Sequence, residues 1–266
     1  MSKRHATLLG GALALTASLL LARFHPFGDA GLFAANAGSA PMMDRTAVPV
    51  EVRAIFASKC ADCHSMGTRA PMYGRFAPVS WLMERDIVRG RAAMNLSEWS
   101  SYTPAQQQTL AAKIVRETKE SEMPPMQYRM IHLSSRVMAS EGLTLSDWAR
   151  GTAGLESRAG GESSGMGDPT LGKSLFEKRC TGCHSLTENR EGPRLQGVYG
   201  RTAGTAAGFA YSPALKKAEV VWDEASLEKW LTDPDAFIPG NNMDFLIARA
   251  QERRDIVSYL RQTSGR

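Results

Sequence analysis

The chain has 266 residues, 43% of them hydrophobic and 22% charged, with a formal net charge of +5. That length allows about two domains of ordinary size. The basic excess forms no Arg/Lys stripe with interleaved aromatics, so the pattern of a nucleic-acid binder is missing. Two of the five excess charges come from Lys3, Arg4 and Arg23 against Asp29, all ahead of residue 38.

Lys3 and Arg4 precede an apolar run from Ala6 to Ala22, the charged start and apolar middle of an export signal. Ala35-Asn36-Ala37 supplies a small-residue cleavage site, unusually far from the run. Uncleaved, the run falls short of the ~20 apolar residues of a full span but is long enough to anchor. Residues 1–37 therefore read as an export signal or an N-terminal membrane anchor, with cleavage favoured. Either places the bulk of the chain in an oxidising, extracytoplasmic space, the periplasm. His5 and His25 have no partner visible in the sequence and read as inert.

Residues 38–48 are small and polar, a lead-in to a helix opened by Pro49 with Val52, Ile55 and Phe56 at helical spacing. Met66 to Pro78 is a Gly, Pro and aromatic loop. A helix over 79–93 follows, with Leu82, Met83 and Ile87 as its apolar stripe. Thr103-Pro104-Ala105-Gln106 is a capping box with Pro at the first helical position; that helix carries Leu110 and Ile114 and ends near Glu120. Glu122-Met123-Pro124-Pro125 breaks helicity. A further helix runs over 140–148, with Leu145 and Trp148 inward. Residues 151–167 are rich in Gly and Ser and read as a linker.

Asp168-Pro169 is another N-cap and first-turn pair. It starts a helix whose stripe is Leu171, Leu175 and Phe176, with Gly172 as a close-packing point. Residues 187–213 read as loops, 224–232 as a short helix stopped by Pro234, and 251–262 as an amphipathic helix with Ile256, Val257, Tyr259 and Leu260 apolar. No strand alternation appears. The fold class is all-α: a domain over 47–150, the linker, and a domain over 168–266.

The four cysteines fall into two C-x-x-C-H strings, Cys60-Ala61-Asp62-Cys63-His64 and Cys180-Thr181-Gly182-Cys183-His184. This is the attachment sequence of c-type haem: each thiol can form a thioether to a vinyl group, and the histidine ligates the iron. A zinc site, a redox dithiol or a disulfide also uses C-x-x-C. None needs the following histidine, and more than a hundred residues separate the pairs. The reading is two covalently bound haem c groups, one per half. Their four propionates bring the loaded protein close to neutral.

The second half resembles mitochondrial-type class I cytochrome c over about residues 168–264. The resemblance is carried by CTGCH, GPRLQGVYGRTAG (192–204), FAYS (209–212), VW (221–222), WLTDPDAFIPGNNMDF (230–245) and RRDIVSYL (253–260). It implies His184 as proximal ligand and Met243 as distal ligand. It also implies that the Pro193 carbonyl accepts the imidazole N–H and that Arg201, Tyr211 and Trp222 hold the propionates. Asn241 would lie near Met243. Trp230 stands where that family often carries Tyr, and the loop after Phe245 lacks a glycine common there. Independently, a thioether ligand favours reduced iron and raises the potential.

The first half resembles the haem-binding domain family of bacterial periplasmic cytochromes over about residues 47–150. The strings are residues 60–99 and EMPPMQYRMIH (122–132), with Glu141, Leu145 and Trp148 agreeing. It implies His64 as proximal ligand and a distal ligand from the second string. Met123 is the choice, His132 the rival, and an open sixth position the third case. Trp81 and Tyr128 read as pocket packing, Met126 and Met130 as core or rim.

Two functions follow. An electron carrier has two irons sealed by protein ligands and no substrate site, with redox protein partners that the sequence does not name. A peroxidase-like oxidoreductase or a sensor needs one open iron, the first, with His132, Arg129 and Glu122 as helpers. A haem subunit docked to a partner oxidoreductase shares the carrier's chemistry.

Overall fold

The computed structural model describes residues 3–33, 48–157 and 165–265. Among them it is helical, with no strand and one isolated antiparallel bridge, Thr202 with Val221. The chain forms two compact units, residues 1–101 and 102–266. The cleavage site at 35–37, nearly all of the 38–48 lead-in and the middle of the Gly/Ser stretch lie outside the described residues.

In the first unit, α1 (Lys3–Leu21) leads into an irregular strap of turns over 22–33. Then come α2 (Val50–Lys59), the single turn α3 (Ala61–His64), a 3-10 turn at Met72–Arg75, α4 (Val79–Ala93) and a 3-10 turn at Leu96–Ser101. α2 buries Val52, Ile55 and Phe56, the spacing of one helical face. α4 has the expected bounds but a rotated face: Ser80, Glu84 and Ile87 are buried, while Leu82 is 46% exposed.

The strap accounts for that rotation. Ala30 and Leu32 pack on Ile87, Arg91 Nη1 donates to the Ala30 carbonyl at 3.0 Å, and His25 Nδ1 lies 2.7 Å from Oε1 of the fully buried Glu84. His25 is therefore not inert: its ring nitrogen hydrogen-bonds a carboxyl on a helix 59 positions away. At the strap's start, Trp81 Nε1 donates to the Leu21 carbonyl at 3.0 Å and Ser18 Oγ to the Ala77 carbonyl at 2.7 Å. Trp81 thus holds the end of α1.

In the second unit, α5 (Pro104–Lys119) opens on the complete capping box: Thr103 Oγ1 accepts from the Gln106 N–H and the Gln106 side chain accepts from the Thr103 N–H. The helix stops where Ser121 takes φ 58° ahead of the two prolines. A short α6 (Met126–Ile131), which hydrophobic periodicity over six residues does not reveal, follows the break. α7 (Ala139–Ser157) buries Leu145 and Trp148 but runs on through Ser157. No proline stands in its way, and each glycine costs a helix only about 1 kcal/mol.

Asp168 caps α8 (Pro169–Arg179) by accepting from the Thr170 and Leu171 N–H groups. The rest is α9 (Pro213–Lys217), α10 (Glu224–Thr232), α11 (Pro234–Phe237) and α12 (Ala250–Ser264). α8 and α12 pack at Gly172, where a Cβ would run into the Asp255 carbonyl. That contact turns Phe176 onto Tyr259, ring centroids 5.5 Å apart, and leaves Leu171 56% exposed instead of in the stripe. Phe176, Trp222, Trp230, Ile247, Ile256 and Leu260 form the core beneath the loops over 185–212.

Burial, with the Asp29 charge adding to it, pushes the Glu84 carboxyl above its ordinary range against the opposing His25 and Ala30 N–H. A carboxyl raised in the fold contributes stability that is complete below its unfolded pKa and lost as pH rises through its folded one. Glu84→Gln removes that loss. In thermal melts the variant should gain on the wild type as pH rises from about 4.3; a pH-independent difference would show that the buried carboxyl titrates normally.

Candidate functional site

Both C-x-x-C-H strings occupy the same juncture. Cys60 caps the C-terminus of α2 and Cys180 that of α8. In each, the histidine N–H then donates to the first cysteine's carbonyl, at 3.0 Å for His64 and 2.8 Å for His184. One turn of backbone thus carries two thiols and an imidazole. No disulfide joins any of the four cysteines. Burial pushes Cys63 up to about 11, and Cys180 and Cys183 up to about 12. Thiols this reluctant to ionise are unlike the reactive pair of a redox dithiol.

In the second unit one cavity is lined by Cys180, Cys183, His184, Pro193, Arg201, Tyr211, Trp222, Trp230 and Met243. His184 Nδ1 lies 2.8 Å from the Pro193 carbonyl, so the proton sits on Nδ1 and the Nε2 lone pair is left free. Burial lowers the His184 pKa and keeps the ring neutral. Gly192 stands against the same ring, where a Cβ would strike it.

Met243 is held just as closely. Its N–H donates to Asn241 Oδ1 at 2.6 Å, and Asn241, 2% exposed, donates in turn to Asp235 Oδ1 and the Ile238 carbonyl, each at 3.0 Å. The Trp230 indole N–H donates to Met243 Sδ at 3.1 Å. Trp222 packs on Trp230 with centroids 5.3 Å apart. Arg201 donates to the Arg194 carbonyl at 2.9 Å, and burial lowers its pKa while raising that of Tyr211.

In the first unit, His64 Nδ1 lies 3.2 Å from the Met94 carbonyl, the same arrangement as at His184, and burial lowers its pKa. A Cβ on Gly90 of α4 would come within 2.8 Å of the Cys63 carbonyl, so only glycine lets α4 pack on the attachment turn. Arg91 ties the turn down, donating to the Ser65 carbonyl at 2.8 Å and to Thr68 Oγ1 at 3.0 Å.

Met123 stands at the α5–α6 break, 40% exposed, and does not line the second-unit cavity. His132 stacks on Tyr128 with centroids 4.2 Å apart. Met126 and Met130 are exposed, not core. The sequence reading missed Gly192, three α5 residues that line the cavity, Ala112, Lys113 and Arg116, and the C-cap Glu120. Their signal was present: Lys113, Arg116 and Glu120 share one face of α5 and its cap, although a charged face reads by default as solvated.

The family model described as cytochrome c matches residues 169–264, and that described as haem-binding domain matches residues 19–151. Cytochrome c of Euglena viridis is 47% identical over 98 residues, 36% of this chain and 96% of that protein. Cytochrome c of Chlamydomonas reinhardtii is 41% identical over 103 residues, covering 37% and 92%.

The chain belongs to the cytochrome c family.

Its cytochrome c domain follows a haem-binding domain, and together they mark an electron-transfer haem protein. Among solved structures, cytochrome cH from Methylobacterium extorquens is 42% identical, covering 36% of this chain and 99% of that one, with a TM-score of 0.35. The cytochrome c cavity suits haem c: a neutral imidazole with a free Nε2, a fixed thioether and two thiols line one largely apolar cavity.

Were Met243 to ligate a haem iron, the indole N–H would withdraw density from its sulfur and so weaken its donation to the ferric state. Trp230→Phe removes that bond and should lower the midpoint potential of this site by a few tens of mV, since a net hydrogen bond is worth about 0.5–1.5 kcal/mol and ~59 mV is a factor of ten. Spectroelectrochemical titration reads the shift; a rise would reverse the assigned role of the indole.

Proposed function

We propose that the protein is a dihaem c-type cytochrome that carries single electrons between redox partners in the periplasm or at its membrane. The observation that carries the reading is that His184 and Met243 line one cavity with Cys180 and Cys183, so a nitrogen and a sulfur donor would both be available to a haem iron held there. Bound there, haem supplies reversible one-electron iron redox.

The residues' part is to hold and enclose. Cys180 and Cys183 would carry the thioethers, and His184 and Met243 the iron. Pro193 orients the imidazole, Asn241 and Trp230 fix the sulfur, and Arg201, Tyr211 and Trp222 would take the propionates. In the haem-binding domain Cys60, Cys63 and His64 play the corresponding parts, with Met123 as the proposed distal ligand and His132 as its rival. Arg129, a helper in the enzymatic reading, donates to the Ser121 carbonyl at 3.0 Å.

The N-terminal segment supports an exported protein that keeps α1. The strap over 22–33 packs on α4, and the haem-binding match starts at residue 19. Cleavage after Ala37 would therefore strip the domain of a packed element. No described helix is long and apolar enough to cross a membrane.

Purified protein from a host that matures c-type cytochromes should have the mass of the full chain plus two haems, and its reduced form should bind little carbon monoxide. A mass with one haem would overturn the dihaem reading. Strong carbon monoxide binding at half the haem would assign the first iron to the enzymatic or sensor reading.

A further inference from the structure

Helix α5 crosses the mouth of the cytochrome c cavity. On the histidine side, Thr109 packs on Gly182, between the two cysteines, so closely that a Cβ there would lie 2.6 Å from Thr109 Cγ2. One turn later Lys113 Nζ is 3.0 Å from Glu191 Oε1. On the methionine side, Glu120 Oε1 accepts from Asn242 Nδ2 at 2.7 Å and Lys119 Nζ pairs with Asp244 Oδ1 at 2.8 Å. Gln108, buried, donates to the Leu246 carbonyl at 2.6 Å and accepts from Arg179 Nη1 at 3.0 Å. The helix therefore touches both loops that carry the axial donors, and Arg116 lines the cavity between those contacts.

By sequence α5 lies within the haem-binding match, 19–151; by packing it belongs with the cytochrome c domain. A helix with its side chains is about 10–12 Å across. Electron tunnelling falls off steeply with distance, so a body of that thickness over the cavity mouth obstructs direct exchange with another protein. The polar part of the clasp mixes a half-exposed ion pair, Lys113 with Glu191, with contacts to the buried Gln108 and Asp244; exposed pairs of the first kind are weak and screened by salt.

We propose that α5 is a built-in docking partner for the cytochrome c cavity: it occupies the surface that a separate redox protein would use, and such a protein reaches this haem only when α5 lifts. The proposal rests on the reading that haem occupies this cavity. It makes α5 a cover supplied by one haem domain to the other, in the same chain.

The test uses the full dihaem protein and azurin, a small blue-copper protein. The reduced chain is mixed with Cu(II) azurin, and one electron leaves the chain for each copper reduced to Cu(I), the two haems being told apart by their potentials. Thr109→Trp places bulk against Gly182, and Lys113→Ala with Lys119→Ala removes one ion pair at each end of the clasp without adding bulk. In both variants the second-order rate from the cytochrome c haem should rise about tenfold or more. Backbone amides of 180–191 and 241–246 should exchange with deuterium faster. Wild-type rates and wild-type protection in both variants would overturn the proposal. So would a wild type that already reduces azurin from that haem at the variants' rate. Failure of the underlying reading looks different: the mass of a tryptic peptide holding Cys180 and Cys183 would lack haem.

Discussion

An imidazole that is to ligate iron has to stay neutral and keep one lone pair free, and the chain gives His184 both conditions by separate means. Burial disfavours the charged ring, and the Pro193 carbonyl takes the Nδ1 proton. Gly192, next to that proline, leaves room for the ring to lie against the backbone. Much of the loop structure from 185 to 212 serves this one imidazole. The α8–α12 packing through Gly172 and Asp255 fixes the helix that delivers it. His64 meets the same two conditions with different means, the Met94 carbonyl and the close approach of Gly90.

The opposite wall of the cytochrome c cavity is built from a chain of dependencies. Asp235 and the Ile238 carbonyl hold Asn241, Asn241 holds the Met243 N–H, and Trp230 reaches the sulfur. A methionine has three rotatable side-chain bonds and fills space indiscriminately. Here the backbone and the sulfur are each fixed by a directional bond, which turns a soft filler into a placed donor.

Local signals were legible in the sequence. The Thr103 and Asp168 caps, the bounds of α4 and α10, and the buried stripes of α2 and α12 follow from spacing and first-turn chemistry acting within a few residues. The misses share a cause: each depends on a partner far along the chain. Leu82 looked like core because nothing near it announced that the strap would claim the face of Ser80, Glu84 and Ile87. Leu171 looked buried until the contact between Gly172 and Asp255 turned its helix. Arg116 looked solvated because its cavity is built from residues more than sixty positions later. Most of the cavity's own residues were readable because conspicuous types, Cys, His, Trp and Met, sit in close-set strings. Gly192, with no side chain to display, was not.

The strap orders events during synthesis. His25 leaves the ribosome 59 residues ahead of Glu84, an interval of about 3–12 s at ordinary elongation rates of about 5–20 residues per second. Until α4 follows it out, the first domain lacks the buried partner of the His25 ring and the face on which the strap packs. A chain threaded N-terminus first across a membrane would remain slack over this span, with Cys60 and Cys63 still open to the machinery that attaches porphyrin, and would tighten only once α4 had emerged.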